Sequence, residues 1–144
     1  MYLLDANVLI YAFREDSPFH APCRRWLEEV LSQGERIGTA EVVELAFLRI
    51  NTLPSLGAKA SPLPETFAFL RALKALPNWE RVEPGPGHLG ILQVLAEGLG
   101  LRGNDLNDAY LAALALERGA VLVSADKGFA RFPGLLWLNP LEGA

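Results

Sequence analysis

Four acidic residues of the sequence have the type and spacing that could bind a divalent cation. Asp5 interrupts the apolar run YLLDANVLIYAF, Asp126 follows the apolar segment AVLVS, and Asp108 lies in the first turn of an Ala- and Leu-rich helical pattern. Glu44, early in another predicted helix, is the natural fourth member. Parallel strands present their carboxyl ends at one edge of a sheet, where ligands bind. The acids are therefore expected to converge at that edge.

Such a cluster of carboxylates needs a counter-charge. Two carboxylates about 5 Å apart repel by roughly 3 kcal/mol at an effective dielectric of about 20, so three such pairs cost about 10 kcal/mol, which is comparable with the stability of a whole domain. Protons or a divalent cation must then hold the acids together. A set of oxygen ligands favours Mg²⁺ or Mn²⁺ over zinc, and these ions bind phosphates and activate water for phosphodiester hydrolysis.

Each of these acidic positions also has a structural interpretation. Asp5 could cap a helix that follows it, and an exposed helical Glu such as Glu44 is common. Asp105 is interpreted as a helix cap, and Glu41 as a solvated acid favoured by the helix dipole. Ser124 could simply end its strand, or its hydroxyl could hydrogen-bond an acid or a water molecule at the site.

Alternating strand and helix patterns predict the scaffold that positions these residues. Short apolar strands are predicted near residues 2–5, 36–38, 79–83, 120–124 and 135–138. Helices are predicted over 17–34, 39–51, 64–76, 88–99 and 104–117, with Ser17 and Thr39 as caps of the first two and a mobile loop over 52–64. This order predicts an α/β fold, a three-layer α/β/α domain with a central parallel sheet, in one domain over residues 1–144.

Composition excludes several classes of function. The chain has 144 residues, 51% of them hydrophobic, and a net charge of -4, so no basic field marks a protein that coats nucleic acid. Cys23 is the only cysteine, which excludes an intrachain disulfide and a thiolate metal site. His20 and His88 are interpreted as surface or loop residues. Without a signal sequence or a long apolar span, a cytoplasmic protein is expected.

Three blocks of the sequence carry a resemblance to a known family. They are LLDANVLIYAF, the VELAFLR segment around Glu44, and NDAYLAALALERGAVLVSADKGFARFPGL. Together they resemble the PIN-domain ribonucleases, specifically the VapC toxins of VapBC toxin-antitoxin pairs. The last block is the most specific, whereas the middle of the chain carries no such signal.

The resemblance implies a Mg²⁺- or Mn²⁺-dependent endoribonuclease that leaves 5′-phosphate and 3′-hydroxyl ends. Asp5, Glu44, Asp108 and Asp126 would be the catalytic and metal-binding acids; Glu44 is preferred to Glu41 because it precedes Leu, as the family's Glu does. Asn7 and Ser124 would be supporting polar groups. The family also implies a homodimer and a cognate antitoxin whose peptide covers the site.

An acidic protein that cuts RNA needs local cations to receive the RNA backbone. The candidates flank the motif blocks and are Arg14, Arg102, Lys127 and Arg131. An RNA loop with splayed bases suits an open site better than a duplex does. A haloacid-type phosphatase would need an Asp where Asn7 stands, a receiver domain would need an acidic pair and a late Lys, and a dinucleotide binder would need a Gly-rich turn. A non-catalytic PIN-like module that only binds RNA or protein is the remaining alternative.

Overall fold

The computed structural model describes residues 1–142 and contains a five-stranded sheet in which all strands are parallel. The strands lie in the order β3-β2-β1-β4-β5. Their bounds are Tyr2–Leu4 (β1), Ile37–Thr39 (β2), Trp79–Arg81 (β3), Val121–Val123 (β4) and Trp137–Leu138 (β5). β1 is the central strand and registers with both neighbours, Tyr2 opposite Ile37 on one side and Val121 on the other.

Six α-helices cover the sheet. They are Ala6–Phe13 (α1), His20–Ser32 (α2), Glu41–Asn51 (α3), Leu63–Lys74 (α4), His88–Leu99 (α5) and Asp105–Arg118 (α6), with 3-10 helices at Pro54–Lys59 and Lys127–Arg131. α1 contacts α2 and α3, and α3 contacts α4, whereas α5 packs against α6. Because crossovers between parallel strands are right-handed, α1 to α4 lie on one face and α5 and α6 on the other. The three-layer α/β/α prediction is confirmed.

The strand order reverses direction at β1. The chain moves outward from β1 to β2 and then to β3. The segment with α5 and α6 then carries it back past β2 and β1 to β4, which pairs with the other side of β1. Adjacent strands whose connections leave on opposite faces open a crevice at their carboxyl ends, which is the usual ligand site of an open α/β sheet. The crevice between β1 and β4 is where Asp5 and Asp126 lie.

The element boundaries differ from the sequence prediction mainly at helix starts. The apolar run after Asp5 forms α1, which is absent from the predicted helices. The sequence does not reveal this helix because a helix buried on most of its surface has no polar face to show its period. The helix predicted to start at Ser17 begins at His20, and the Ser17 hydroxyl accepts a turn hydrogen bond from Phe19 N (3.1 Å). Thr39 ends β2 rather than capping α3. Asn104 precedes α6 and Asp105 begins it, and neither caps it through its side chain.

Two helices, α4 and α5, leave large apolar side chains open to solvent. Leu89 and Val94 on α5 are 74% and 71% exposed, whereas Leu95 of the same helix is buried. Phe67 on α4 is 42% exposed, while Leu70 and Leu73 are buried. Each of these helices therefore packs only part of its apolar surface into the core.

Candidate active site

Asp5 follows the last residue of β1 and is held by both its backbone and its side chain. Its amide donates to Val123 O (2.9 Å), which continues the pairing with β4. Its Oδ1 accepts from the Ala6 amide at 2.7 Å, so Asp5 caps α1 as well as facing the crevice. Burial, the largest effect, raises the pKa of Asp5, and the Asp126 carboxylate raises it further against the lowering effect of hydrogen bonds from Ser124 and Ala6.

The Ser124 hydroxyl joins the two sides of the crevice. It is fully buried and donates to Asp5 Oδ2 (2.7 Å), and it accepts from Asn7 Nδ2 (3.1 Å) and from the Asp126 amide (3.1 Å). Asn7 Oδ1 also accepts from the Ala125 amide (3.1 Å). One donor and two lone pairs are the full capacity of a hydroxyl, so each side of Ser124 is used. Asn7 and Ser124, predicted as supporting polar groups, therefore both contact Asp5 and orient its carboxylate.

Asp108 and Asp126 approach the same crevice from α6 and from the turn after β4. Asp126 Oδ1 accepts from the Gly128 amide (2.8 Å), which fixes the carboxylate at the start of the 3-10 helix. The pKa of Asp108 is raised, first by burial and then by the Asp126, Asp5 and Asp105 carboxylates, while Arg131 opposes the rise. Asp5 and Asp108 line the same groove, and the Asp126 carboxylate raises the pKa of both, so we call these three residues the acid cluster (Asp5, Asp108 and Asp126).

A groove of about 510 Å³ opens beside the acid cluster. Asp5 and Asp108 form its polar side, and α3 contributes an apolar wall with Val42, Leu45 and Ala46, with Arg49 at the same wall. Side chains of α5 and α6 complete the groove: Leu92, Leu106, Asn107, Tyr110 and Leu111. The groove is open, and the carboxylates of Asp5 and Asp108 are part of its lining.

Glu44 is engaged elsewhere. Its Oε2 accepts from Thr39 Oγ1 (2.7 Å) and its Oε1 is 2.8 Å from Lys74 Nζ. Trp79 completes the arrangement, because its Nε1 donates to Thr39 (2.9 Å) and the Lys74 ammonium lies over its ring. The structure thus turns Glu44 toward the β3 side of α3, in a half-buried pair with Lys74, and does not bring it into the acid cluster. Glu41 is exposed and pairs with Arg81 (3.0 Å).

The basic residues predicted to contact RNA lie in different surroundings. Arg14 is 14% exposed and donates to Asp16, Asn51, Ser61 and the Lys59 carbonyl, so it anchors the loop before α4. Arg131 donates to Asp108 (3.1 Å). Lys127 is 78% exposed and pairs with Glu142 (3.3 Å), and Arg102 is exposed on the loop before α6. Three of the four flank the acid cluster in the chain, and Arg14 is a structural residue.

Both histidines bind main-chain carbonyls rather than the groove. A ring nitrogen of His20 lies 2.8 Å from Tyr11 O, and one of His88 lies 3.0 Å from Tyr110 O. His88 is buried, contrary to its interpretation as a surface residue, because the PGPG turn and the Tyr110 ring cover it.

Comparison with known proteins decides the family. The PIN domain family model matches residues 2–135. Ribonuclease VapC43 of Mycobacterium tuberculosis is 38% identical over 143 residues, which cover 99% of this chain and 97% of that protein. Ribonuclease VapC37 of the same organism is 41% identical over 142 residues, with 97% of each protein covered. The chain belongs to the VapC family of PIN-domain proteins. VapBC-1 from nontypeable Haemophilus influenzae shares the fold, with a TM-score of 0.71 at 19% identity and 98% of each chain covered.

A divalent cation, as the VapC family implies, fits the chemistry of the acid cluster. Burial first, and then the Asp126 carboxylate, raise the pKa values of Asp5 and Asp108, so both acids gain from a nearby positive charge, and oxygen donors suit Mg²⁺ or Mn²⁺. Within residues 1–142, no three His, Cys, Asp or Glu side chains converge as a ready-made cage. Mg²⁺ usually keeps several waters and uses one or two carboxylates, so it does not require a cage of three side chains.

No helix in the described part of the chain is long and apolar enough to cross a membrane.

Proposed function

We propose that this chain is a divalent-metal-dependent endoribonuclease and the toxin of a VapBC-type toxin-antitoxin pair. The observation that carries the proposal is that Asp5 and Asp108, from separate elements, line one open groove at the point where the strand order reverses, with Asp126 in the turn after β4 raising the pKa of both. The names of the related VapC ribonucleases support RNA as the substrate.

The roles of the residues follow from their contacts. Asp5 and Asp108 would hold the cation together with Asp126, and Ser124 and Asn7 keep Asp5 oriented toward it. When bound, a Mg²⁺ or Mn²⁺ ion would supply charge neutralisation at the phosphate and activation of water for in-line hydrolysis. Lys127, Arg102 and Arg131 are proposed to meet the RNA backbone, whereas Arg14 keeps its structural network. Glu44 joins the site only if its pair with Lys74 opens on binding.

Cleavage assays test this proposal directly. Purified protein would be incubated with structured and single-stranded RNA in the presence of MnCl₂, MgCl₂ or a chelator, with Asp108→Asn as the paired variant. Cleavage that requires the metal and is lost in Asp108→Asn supports the proposal. RNA binding without cleavage by a folded protein would instead favour the non-catalytic PIN-like module, for which the sequestered Glu44 is the one structural argument.

The proposed partners are a cognate antitoxin and a second copy of the chain. Solved structures that share this fold include VapBC complexes from Haemophilus influenzae and Rickettsia felis, the latter bound to a DNA fragment from their promoter. Leu89 and Val94 on α5 are large apolar side chains open to solvent, and they are our candidates for a homodimer contact. A Leu89→Asp, Val94→Asp variant is expected to shift the molecular mass measured by light scattering toward the monomer.

A further inference from the structure

The acid cluster poses an electrostatic problem for an anionic substrate. Asp5, Asp108 and Asp126 repel a phosphate, and the whole chain carries a net charge of -4. Arg131 is the cation that acts on Asp108, and its guanidinium is already paired with Asp108 (3.1 Å) and lies 3.8 Å from Asp105. A backbone phosphate entering the groove therefore needs a further cation whose charge is not already committed.

Few basic side chains of the described chain are uncommitted. The side chains that make no hydrogen bond and no ion pair with any residue among 1–142 are Arg25, Arg49, Lys59, Arg71 and Arg102. Arg25 and Arg71 line other depressions, beside Trp26 and beside Lys74 respectively. Of the basic residues in the described chain, Arg49 alone lines the groove that also contains Asp5 and Asp108.

Helix geometry explains why Arg49 reaches the groove. Residues three and four apart lie on one face of a helix, so Arg49 shares a face of α3 with Ala46 and Leu45, which form the apolar wall. The opposite wall comes from α6, with Asn107 and Asp108. The exposed guanidinium therefore stands at the same opening as the carboxylates. Its planar fork of N–H donors matches phosphate oxygens and can bind them in pairs.

We infer that Arg49 receives a backbone phosphate of the RNA at the groove beside the acid cluster. The inference rests on the proposed function and adds a substrate-binding residue that the sequence motifs did not single out. The competing explanation is that Arg49, in the last turn of α3, only offsets the negative end of the helix dipole. RNA binding and thermal stability separate the two explanations.

The binding experiment uses fluorescence anisotropy with a short fluorescein-labelled single-stranded RNA in chelator, so that the RNA stays intact. The proteins are wild type, Arg49→Ala, Arg49→Lys and the control Arg36→Ala. Arg36 precedes β2 at the opposite edge of the sheet and makes only an exposed 3.4 Å pair with Glu80. Arg49→Ala should weaken binding about ten- to a hundredfold, as expected for a lost charge-assisted contact. The slope of log affinity against log salt should flatten by about 0.7 for one phosphate contact on a single strand.

Cleavage kinetics in MnCl₂ form the second arm. Arg49→Ala should raise KM by a similar factor with a smaller change in kcat, and Arg49→Lys should recover part of the loss because it keeps the charge but not the fork. Arg36→Ala should match wild type within about twofold, since exposed pairs contribute little. Thermal melts of all variants establish that each is folded.

The outcomes separate this inference from the proposed function. If wild type does not cleave RNA but binds it, and Arg49→Ala still weakens binding and flattens the salt slope, the nuclease proposal fails and the role of Arg49 stands. If Arg49→Ala binds RNA with the affinity and salt slope of Arg36→Ala, the inference is overturned, and Arg49 belongs to the helix end or to a protein partner. If wild type binds no RNA, both fail.

Discussion

The two carboxylates Asp5 and Glu44 follow neighbouring strands, and their surroundings differ. Asp5 follows β1 and is fixed by the Ala6 amide and the Ser124 hydroxyl, with no cation paired to it in the described chain. Glu44 follows β2 by one helical turn and is neutralised by Lys74 at 2.8 Å. An acid held by neutral donors retains a charge that an incoming cation can share, whereas an acid held by Lys74 does not. The difference leads us to expect that a metal ion, if bound, is held at the carboxyl ends of β1 and β4 and not at Glu44.

The largest expected effect is that of Asp108→Asn. The change removes a carboxylate of the acid cluster and should lower Mn²⁺-dependent cleavage by more than about a hundredfold, because even outer-shell changes cost about ten- to a hundredfold. In chelator the same variant should melt a few degrees higher, since it relieves repulsion from Asp126 and Asp5. Gel-based cleavage and thermal melts measure the two effects. A metal-dependent activity equal to wild type would remove Asp108 from the site.

Ser124→Ala removes the hydroxyl that fixes Asp5, the first of the two compared carboxylates. It leaves Asp5 Oδ2, Asn7 Nδ2 and the Asp126 amide without their shared partner, so cleavage should fall about ten- to a hundredfold. The free energy of unfolding should also fall by about 1 to 3 kcal/mol, from buried polar groups left unpaired. Ser124→Thr keeps the hydroxyl and serves as the control. Equal losses in both variants would mean that packing, and not the hydroxyl, is responsible.

Glu44→Gln tests the second carboxylate, which is paired with Lys74. It should lower stability by about 1 to 3 kcal/mol in denaturant melts, because Lys74 loses a charged partner, but it should reduce cleavage less than Ser124→Ala does. Lys74→Met provides the matched change and should give a similar loss of stability. A loss of cleavage in Glu44→Gln as large as that in Asp108→Asn would place Glu44 in the working site after release from Lys74.

The smallest effect is a pH dependence of the metal-free protein. Asp5 and Asp108 have folded-state pKa values raised above the ordinary value of 3.8. Their contribution to stability is therefore present below the unfolded pKa and is lost as the pH rises through the raised folded pKa. In chelator, wild type should lose a few degrees of melting temperature across that window relative to Asp108→Asn. Added Mn²⁺ should cancel the loss by binding the ionised folded form.

The sequence predicted the parts of the site that depend on strand ends. Asp5 directly follows β1 and Asp126 comes three residues after the end of β4, so both lie at the edge where the carboxyl ends of the parallel strands meet, as their positions after apolar runs predict. The rotation of α3 about its own axis could not be read in this way. Glu44 faces Lys74, which is 30 residues away in sequence, and Thr39, which the sequence assigned to a helix cap. The same rotation of α3 directs Glu44 away from the groove and Arg49 toward it.

Arg14 and α1 show the same limit of sequence patterns. Arg14 was predicted to meet RNA because it adjoins a motif, but its partners are Asn51, at the end of α3, and Ser61, in the loop before α4, and no local pattern reveals these distant contacts. α1 was not assigned because residues 6–13 are apolar on nearly every side, and such a run does not distinguish a buried helix from a strand. Tertiary contacts supplied the missing information in both cases.

The hydrogen bond between Asp5 and Ser124 spans a separation of 119 residues. A chain still emerging from the ribosome therefore carries Asp5 long before the hydroxyl and the acids of the last third are available to meet it. Contacts of such high sequence separation form late, because the intervening chain must be closed first. Any activity that depends on the acid cluster is consequently withheld until the chain has been synthesised past Asp126, and products truncated before that residue would be inert.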